Sequence, residues 1–188
     1  MEKYKMNWQK DGIVLRSFKH GEADKYYKEC FEVPDAEANR LTGSSGYSNY
    51  EGVVNYYNRI VDDTDRYDFM IINSQGRFIG ESVINEIDWE VRSANFRIVI
   101  FRSESRSNGI GSWVVKTTRD FAFEYLKLHR LELEVFSFNP RAKKVYEKAG
   151  FKIEGLKKDA ILDGNNYADI IMMAILEDEW KEIKSLEK

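Results

Sequence analysis

Apolar residues recur with a helical period along several stretches of the chain. The longest pattern runs over residues 110–128, and a second one covers residues 49–61. Spacings of three and four residues place such side chains on one face of a helix, so both stretches are predicted to be amphipathic helices. Pro140 suits the first turn of a further helix, and Gly150 is placed to end it. The predicted helices cover residues 23–31, 49–61, 110–128, 140–149 and 177–188.

Other stretches alternate between apolar and polar residues, which predicts strands. In residues 131–135, for example, two glutamates alternate with three apolar side chains. Residues 74–77 form a predicted hairpin turn, whereas Pro34, Gly43 and Gly46 predict a loop that ends near Ser48. The predicted strands cover residues 13–18, 69–73, 78–89, 94–101, 131–136, 151–162 and 167–176.

The order of these elements predicts a mixed α/β fold of the α+β type. An antiparallel meander comes first, a strand–helix–strand–helix segment follows, and a hairpin precedes the last helix. The sequence has no internal repeat and no change of composition that would mark a boundary. Residues 1–188 are therefore expected to form a single domain.

The composition changes this picture by excluding several classes of protein. The 29 basic and 32 acidic residues give a net charge of −3, so the chain lacks the positive field that binding to nucleic acids or membrane surfaces requires. The single cysteine, Cys30, excludes an internal disulfide and favours a reducing, cytoplasmic setting. Because only two histidines accompany it, we expect no metal site. No apolar segment indicates a signal peptide or a transmembrane helix.

A glycine-containing loop follows the apolar strand that holds Ile98, Val99 and Ile100. Its residues are Arg106, Ser107, Asn108, Gly109, Ile110, Gly111 and Ser112. Glycines let the main chain come close to a ligand, and the N–H groups at a helix start bind phosphate oxygens. A dinucleotide fingerprint would need a third glycine where Val114 stands, and no Walker sequence is present. At this point, the alternative that this segment is an ordinary turn capping a helix remains open.

A second motif follows in residues 134–151. A strand, the pair Asn139-Pro140 and a helix lead into Tyr146-Glu147-Lys148-Ala149-Gly150-Phe151. The two motifs in this order resemble the GNAT superfamily of acyl-CoA N-acyltransferases, whose acyl-CoA loop has the pattern Arg/Gln-x-x-Gly-x-Gly/Ala. The final hairpin around Asp163-Gly164 is similar to the branch of ribosomal-protein N-terminal acetyltransferases and spermidine N-acetyltransferases. The resemblance extends over residues 12–178, nearly the whole chain.

The resemblance implies the GNAT fold, which has a central, mostly antiparallel twisted sheet of about seven strands with a splayed parallel pair, flanked by helices. It also implies that the chain transfers an acetyl group from acetyl-CoA to an amine. The main chain of Ile98, Val99 and Ile100 would pair with the pantetheine part and polarise the thioester carbonyl. Residues 106–112 would hold the diphosphate. The resemblance places further CoA contacts, to the pantetheine region and the phosphates, at Asn139, Arg141 and Lys143.

The resemblance also gives Tyr146 the role of general acid, and the alternative is a core aromatic. A phenol stays protonated near neutral pH and can donate its proton to the leaving thiolate. A carboxylate must help to deprotonate the amine, and Glu81 and Glu86 are the candidates, with solvent-facing glutamates as the alternative. Side chains five positions apart in a regular strand face opposite sides, so only one faces the cleft unless a bulge intervenes. Glu86 is favoured because it matches the spermidine enzymes.

A small polycationic amine, such as a polyamine, is the acceptor that the sequence favours. Residues 79–89 and 92–100 resemble bacterial spermidine N-acetyltransferases, whereas the early helices resemble them much less. A protein N-terminus and an aminoglycoside-like amine remain open as acceptors. The alternative of another class is a non-catalytic acyl-CoA-binding regulatory module. Neither a nucleic acid nor a membrane is an expected partner, and a homo-oligomer remains open.

Overall fold

A computed structural model describes residues 6–46, 49–106 and 109–187. The chain falls into two compact units that interleave along the sequence. The first unit comprises Met1–Val83 and Ile98–Val114, and the second comprises Ile84–Arg97 and Val115–Lys188. Three elements run from one unit into the other, which explains why no stretch of composition marks a boundary. The single domain expected over residues 1–188 stays a prediction.

Eight strands form one open sheet. They are β1 (Asn7–Lys10), β2 (Ile13–Ser17), β3 (Tyr67–Ile72), β4 (Phe78–Asp88), β5 (Ser93–Ile100), β6 (Arg130–Phe136), β7 (Lys152–Asp163) and β8 (Asn166–Leu176). Their order in the sheet is β1-β2-β3-β4-β5-β6-β8-β7. The mixed α/β fold and the mostly antiparallel sheet are confirmed. The sequence analysis missed β1, because a strand of four residues is too short to show clear alternation.

The parallel pair of the sheet consists of β5 and β6, and its ladder is short. The paired residues are Ser93 with Arg130, Ala94 with Leu131, and Asn95 with Glu132. The ladder covers only the first part of each strand, since β5 continues to Ile100 and β6 to Phe136. On its other side, β6 pairs with β8 over its whole length. A parallel pair whose ladder ends before its strands do agrees with the fold that the resemblance implies.

The helices lie close to their predicted positions, with one exception. They are α1 (Ala23–Tyr26), which continues as a π-helical turn (Tyr27–Phe31), α2 (Ala36–Thr42), α3 (Tyr50–Asp62), α4 (Ile110–Glu124), α5 (Pro140–Lys148) and α6 (Glu177–Leu186). A short 3-10 helix covers Ser103–Ser105. None of the helices in the described ranges is both long enough and apolar enough to cross a membrane.

The exception is α2, which occupies the loop predicted between Pro34 and Ser48. The carboxylate of Asp35 accepts a hydrogen bond from the N–H of Ala38 at 2.8 Å and caps the helix. Gly43, with a φ of 69°, ends the helix in the left-handed conformation. Pro34 and Gly43 therefore mark the two boundaries of a short helix, and the loop prediction was wrong for this segment.

Aromatic side chains form much of the core of the first unit. Helix α3 contributes Tyr57, which is fully buried, and α1 contributes Tyr26. The ring of Phe18 stacks on Tyr57 with 4.8 Å between the ring centroids, and Tyr26 lies 5.0 Å from Tyr57. Met70 of β3 and Phe78 of β4 belong to the same buried cluster. These contacts hold α1 and α3 against the sheet.

A buried arginine fixes the end of α5 and the last helix in the second unit. Arg119, whose side chain is 0% exposed, donates hydrogen bonds to the main-chain oxygen of Ala149 at 2.6 Å and to the carboxylate of Asp120 at 2.7 Å. Asp120 also accepts hydrogen bonds from Trp180 and Lys184 of α6, at 2.9 Å each. The carbonyl groups at a helix C-terminus favour a cation. Arg119 therefore holds the end of α5, the helix that carries Tyr146.

Candidate active site

The predicted diphosphate loop leads into the first turn of α4. Two of its residues, Ser107 and Asn108, lie outside the described residues. Ile110 and Ser112 are half-buried in the first turn, and the helical hydrogen bonds begin with the N–H of Trp113. The first N–H groups of a helix have no partner within the helix and attract anions. This turn therefore fits a group with phosphate oxygens, such as the diphosphate of CoA.

Gly109 and Gly111 differ in the reason why a glycine stands there. Gly109 has a φ of +77°, and a β-carbon at this position would meet nothing within 4 Å. Its backbone conformation, rather than crowding, is what favours glycine. Gly111 has no such conformation, and a β-carbon there would lie 3.7 Å from Cδ1 of Ile100, an ordinary contact. Space at Gly111 within the protein alone would thus admit a small side chain.

The side chain of Arg106 is bound within the first unit, which the sequence did not predict. It is 4% exposed and donates hydrogen bonds to the carboxylate of Asp35 at 2.8 Å, to the carboxylate of Glu37, and to the main-chain oxygen of Ile100 at 3.1 Å. Burial raises the pKa of Asp35, but the hydrogen bonds from Arg106 and from the N–H of Ala38 outweigh it and bring the pKa below its ordinary value. The guanidinium thus has two carboxylate partners already.

Further hydrogen bonds attach the segment before the loop to the segment before α2. Arg102 donates to the main-chain oxygens of Val33 at 2.7 Å and Glu29 at 3.1 Å, and the N–H of Ser103 donates to Asp35 at 3.1 Å. Asp35 therefore joins α2 to residues 102–106. Sequence reasoning missed Asp35 and Glu37. The one available signal was that Asp35 is a favoured helix-capping residue directly after Pro34.

Replacing Asp35 with asparagine should destabilise the protein, mainly because the ion pair between Asp35 and Arg106 is lost. Asparagine caps helices as well as aspartate does, so the change isolates the lost charge. Loss of a hydrogen bond between charged groups costs about 1.5–3 kcal/mol. Folding lowers the pKa of Asp35. The ionised carboxylate therefore stabilises the folded protein fully above the unfolded pKa of about 4, and this contribution is lost as the pH falls through the folded pKa.

Denaturant unfolding at pH 7 and in acid measures this difference directly. The free energy of unfolding of the variant should lie below that of the wild type at pH 7, and the gap should close below about pH 4. Asp65→Asn serves as a control, because Asp65 is an exposed aspartate of the same unit. A gap that persists unchanged in acid would show that the charge of Asp35 is not the cause.

Ile98, Val99 and Ile100 form the end of β5 and lie against β4. A β-carbon at Gly80 would collide with the main-chain oxygen of Val99 and would lie 3.1 Å from Cα of Ile100. Only a residue without a side chain fits this close approach of two main chains. The first unit thus brings the predicted thioester segment next to the start of β4.

Glu81 follows Gly80 and has a partner that sequence reasoning did not identify. The hydroxyl of Tyr26 donates a hydrogen bond to the Glu81 carboxylate with an O–O distance of 2.5 Å. Glu81 is half-buried, whereas Tyr26 is 1% exposed. The carboxylate therefore lies at the edge of the aromatic cluster of the first unit. No sequence signal linked these two residues, because they belong to different elements.

Glu86 lies later on β4, in the part of the strand that belongs to the second unit. It is exposed and has a φ of +53°, a conformation that few residues other than glycine adopt. Asn85 donates a hydrogen bond to its carboxylate at 3.4 Å, and Asn95 donates one to Asn85 at 3.2 Å. The left-handed residue interrupts the regular alternation of β4. The rule that Glu81 and Glu86 face opposite sides therefore does not apply to this strand.

Asn139 begins α5 and caps it. Its side-chain oxygen accepts a hydrogen bond from the N–H of Ala142 at 3.1 Å. The side-chain NH2 group is the part of Asn139 that can donate to a ligand. Arg141 is exposed, and Lys143 forms an ion pair with Glu147 one turn later at 3.1 Å. These three predicted CoA contacts thus lie on the first turn of one helix.

Tyr146 lies in α5 with its side chain 7% exposed. Its ring contacts Phe96 and Phe151 edge-on, with 6.3 Å and 6.1 Å between the ring centroids. Burial raises the pKa of its hydroxyl above the ordinary value, so the phenol keeps its proton at neutral pH. The hydroxyl forms no hydrogen bond with the described residues. Tyr146 therefore combines a packed ring with a protonated donor group.

The described part of the chain contains no group of three or more His, Cys, Asp or Glu side chains that could hold a metal ion. The site residues that can be described fall into two sets. Ile98, Val99, Ile100, Arg106 and Glu81 belong to the first unit with the beginning of α4, and Glu86, Asn139, Arg141, Lys143 and Tyr146 belong to the second. Each set offers polar groups of the type that acyl transfer needs.

Comparison with known proteins assigns the chain to a family. The model of the acetyltransferase (GNAT) domain matches residues 13–152. A spermidine N(1)-acetyltransferase of Vibrio cholerae is 29% identical over 134 residues, which is 71% of this chain and 77% of that protein. An L-amino acid N-acetyltransferase of Escherichia coli is 36% identical over 81 residues, 43% of this chain and 49% of that protein.

A solved structure supports the same fold. The crystal structure of a spermidine N-acetyltransferase from Vibrio cholerae in complex with CoA and spermine superposes with a TM-score of 0.80. It has 24% sequence identity, and the alignment covers 92% of this chain and 99% of that chain. The matched domain is an acetyltransferase domain, so the comparisons favour an enzyme over the alternative of a non-catalytic acyl-CoA-binding module. The chain belongs to the acetyltransferase (GNAT) family and is an N-acetyltransferase that uses acetyl-CoA as its acetyl donor.

Proposed function

We propose that the chain acetylates a primary amine of a small polycation such as a polyamine. The observation that carries this proposal is the pair of carboxylates on β4, Glu81 and Glu86. Carboxylates attract an acceptor that is positively charged at several places. The Vibrio cholerae relative, a spermidine N(1)-acetyltransferase, supports the same class of acceptor.

In the proposed reaction, the acceptor nitrogen forms a bond to the acetyl carbon while the carbon–sulfur bond breaks. A primary amine has a pKa of about 10, so it must lose a proton before it attacks. Glu86 takes this proton directly or through a water molecule, with Glu81 as the alternative base. The main-chain N–H of Val99 or of its neighbour stabilises the negative charge that develops on the carbonyl oxygen. Tyr146 donates its proton to the leaving sulfur and regains one from solvent.

Each of the two sets contains predicted contacts to the donor. The main chain of the loop, including Gly109 and Gly111, would bind the diphosphate of CoA. Arg106 would position this loop through Asp35 and Glu37, since its side chain is already bound to these carboxylates. The remaining contacts would come from the start of α5, where Asn139 would hold the pantetheine part and Arg141 or Lys143 the phosphates.

An assay of thiol release with a panel of amines tests the proposed acceptor. We expect spermidine or spermine to give the highest kcat/KM. The panel includes a monoamine, an L-amino acid, a peptide with a free N-terminus and an aminoglycoside. Preference for the peptide or the aminoglycoside would make that compound the proposed acceptor instead. The absence of turnover with every amine of the panel would contradict the proposal.

Replacing Glu86 with glutamine should raise the KM for the amine about tenfold, because the charge is lost while the shape is kept. The KM for acetyl-CoA should change little. Steady-state kinetics with each substrate varied in turn measures both values. Glu90→Gln is the matched control, since Glu90 is an exposed glutamate in the turn after β4. An unchanged amine KM in the Glu86 variant would return Glu86 to the role of a solvated surface residue.

Two broader predictions complete the proposal. We propose that residues 1–188 act as a single acetyltransferase domain, because three elements pass between the two units. A cytoplasmic setting is supported by the single, buried and free thiol of Cys30. A homo-oligomer remains open, and measurement of the molar mass in solution decides it.

A further inference from the structure

The end turn of α5, residues 149–151, binds the main chain of Tyr146. The main-chain oxygen of Tyr146 accepts hydrogen bonds from the N–H groups of Ala149 and Phe151, at 3.0 Å each. Gly150 lies between these two donors with a φ of +96°, the left-handed conformation that commonly ends a helix. The buried ring of Phe151 also contacts the ring of Tyr146 edge-on. A movement of the end turn therefore moves both the main chain and the ring of Tyr146.

Apolar side chains of the second unit pack tightly on this end turn. A β-carbon at Gly150 would collide with the side chain of Ile183 of α6 and would lie 2.9 Å from Cδ1 of Ile175 of β8. Ile175 is 0% exposed, so it has little room to yield. The glycine thus allows close packing as well as a left-handed turn. The end turn is therefore enclosed by α6 and β8.

Arg119 of α4 binds the same turn through its main chain. Its Nη1 donates to the main-chain oxygen of Ala149 at 2.6 Å, and its Nε and Nη2 donate to Oδ1 of Asp120 at 2.9 Å and 2.7 Å. A guanidinium is planar and donates in fixed directions. The place of Ala149 is therefore tied to that of Asp120, which Trp180 and Lys184 of α6 hold in turn.

Placing a charged pair here costs desolvation free energy, which apolar packing would avoid. Replacing a buried ion pair with apolar side chains often leaves the stability unchanged or raises it. Directed hydrogen bonds fix a position more narrowly than apolar contacts do. The Tyr146 hydroxyl is at the far end of its side chain, so a small rotation of the end turn displaces it. A misplacement of about 1 Å can lower a reaction rate about 100-fold.

We propose that Arg119 is a positioning residue for catalysis, which holds the end turn of α5 so that the Tyr146 hydroxyl stays in place to protonate the leaving sulfur. The inference rests on the proposed function and deepens it, since it takes Tyr146 as the general acid. Arg119 is fully buried and acts through Ala149 rather than through contact with a substrate. Its replacement should therefore change kcat and leave the KM for both substrates unchanged.

The test replaces Arg119 with lysine in the full-length protein. Lysine keeps the positive charge but has one nitrogen, so it cannot hold Ala149 and Asp120 in the same directions. We expect a lower Tm and a single-turnover rate about tenfold lower, the effect of moving the hydroxyl by about 0.5 Å. The rate is measured with acetyl-CoA and the amine of the panel above that is turned over fastest. The KM for each substrate should stay within about twofold.

A double-mutant cycle with Tyr146→Phe separates positioning from stability. Without the hydroxyl there is no donor group to position, so Arg119→Lys should not lower the rate of the Tyr146 variant further. An equal fall in both backgrounds, or no fall in the wild-type background, would show that Arg119 has only a structural role and would overturn the inference. Failure of the proposed function gives a different result, because Tyr146→Phe alone would then leave the rate unchanged.

Arg130→Lys is the matched control. Arg130 also binds a carboxylate through two nitrogen atoms, that of Glu154, but it does so between the start of β6 and β7. This change should leave the rate of each background unaltered.

Ile183→Ala gives a second test, which decides the question if the Arg119 variant does not fold. It opens the packing over Gly150 from a half-buried side chain of α6. A shift of a few tenths of an ångström should lower the single-turnover rate about threefold, and only when the Tyr146 hydroxyl is present. The same fall in the Tyr146→Phe background, or no fall at all, would overturn the inference as well.

Discussion

Replacing Tyr146 with phenylalanine should lower kcat by about 100-fold to 10,000-fold, the range that general acid catalysis supplies. The variant loses only the group that donates a proton to the leaving sulfur. Its ring keeps the edge-on contacts with Phe96 and Phe151. Since the hydroxyl forms no hydrogen bond with the described residues, the Tm and the affinity for acetyl-CoA should change little.

The measurement combines kcat, the affinity for acetyl-CoA and the Tm on one preparation. Tyr167→Phe is the control, because Tyr167 of β8 is an exposed tyrosine of the same unit. It should leave all three quantities at the wild-type values. If kcat of the Tyr146 variant stays within about threefold of wild type while chemistry limits the rate, Tyr146 is not the acid. Water or another donor would then protonate the thiolate.

Replacing Gly111 with valine should weaken acetyl-CoA binding about 100-fold. Each hydrogen bond from an N–H group to a charged phosphate is worth about 1.5–3 kcal/mol, and a side chain at this turn would displace the diphosphate from at least two of them. The fold should survive, because a β-carbon at Gly111 makes only an ordinary contact with Ile100. Calorimetric titration with acetyl-CoA measures the affinity.

Gly109→Val tests the neighbouring position, where the φ of +77° adds backbone strain. Gly21→Val separates the two effects, since Gly21 has a φ of +80°, belongs to the same unit and also has open space around it. Both variants should lose similar stability, but only the Gly109 variant should lose affinity for acetyl-CoA. Wild-type affinity in the Gly109 and Gly111 variants together would remove the loop from the donor site.

Most elements of the fold were predictable because their patterns are local. The apolar period of α3 and α4 and the alternation of β6 are set by neighbours within a few residues, and burial of one face follows directly. The short helix α2 was missed because Pro34, Gly43 and Gly46 indicate a loop and a seven-residue helix has little period of its own. Its cap by Asp35 was the only local indication.

The candidate site also has features that local sequence patterns predict and features that they do not. The loop glycines, the Asn139 cap and the position of Tyr146 follow from contiguous motifs, and their catalytic roles remain predictions. For Glu81 and Glu86, the alternation of side chains in a regular strand predicted opposite sides, because the two residues are five positions apart. The left-handed conformation of Glu86 depends on how β4 fits its surroundings, so no local pattern announced it.

The sequence by itself determined the family, the reaction and the local elements that carry the motifs, because these depend on residues close together in the chain. Only the tertiary structure decided which charges meet. Arg106 finds Asp35 across 71 residues of sequence, and Tyr26 finds Glu81 across 55. A side chain that lacks water must find its hydrogen-bond partner wherever the packed core places one. Such partners are set by the packing of whole elements, and that packing is not written in any short stretch of sequence.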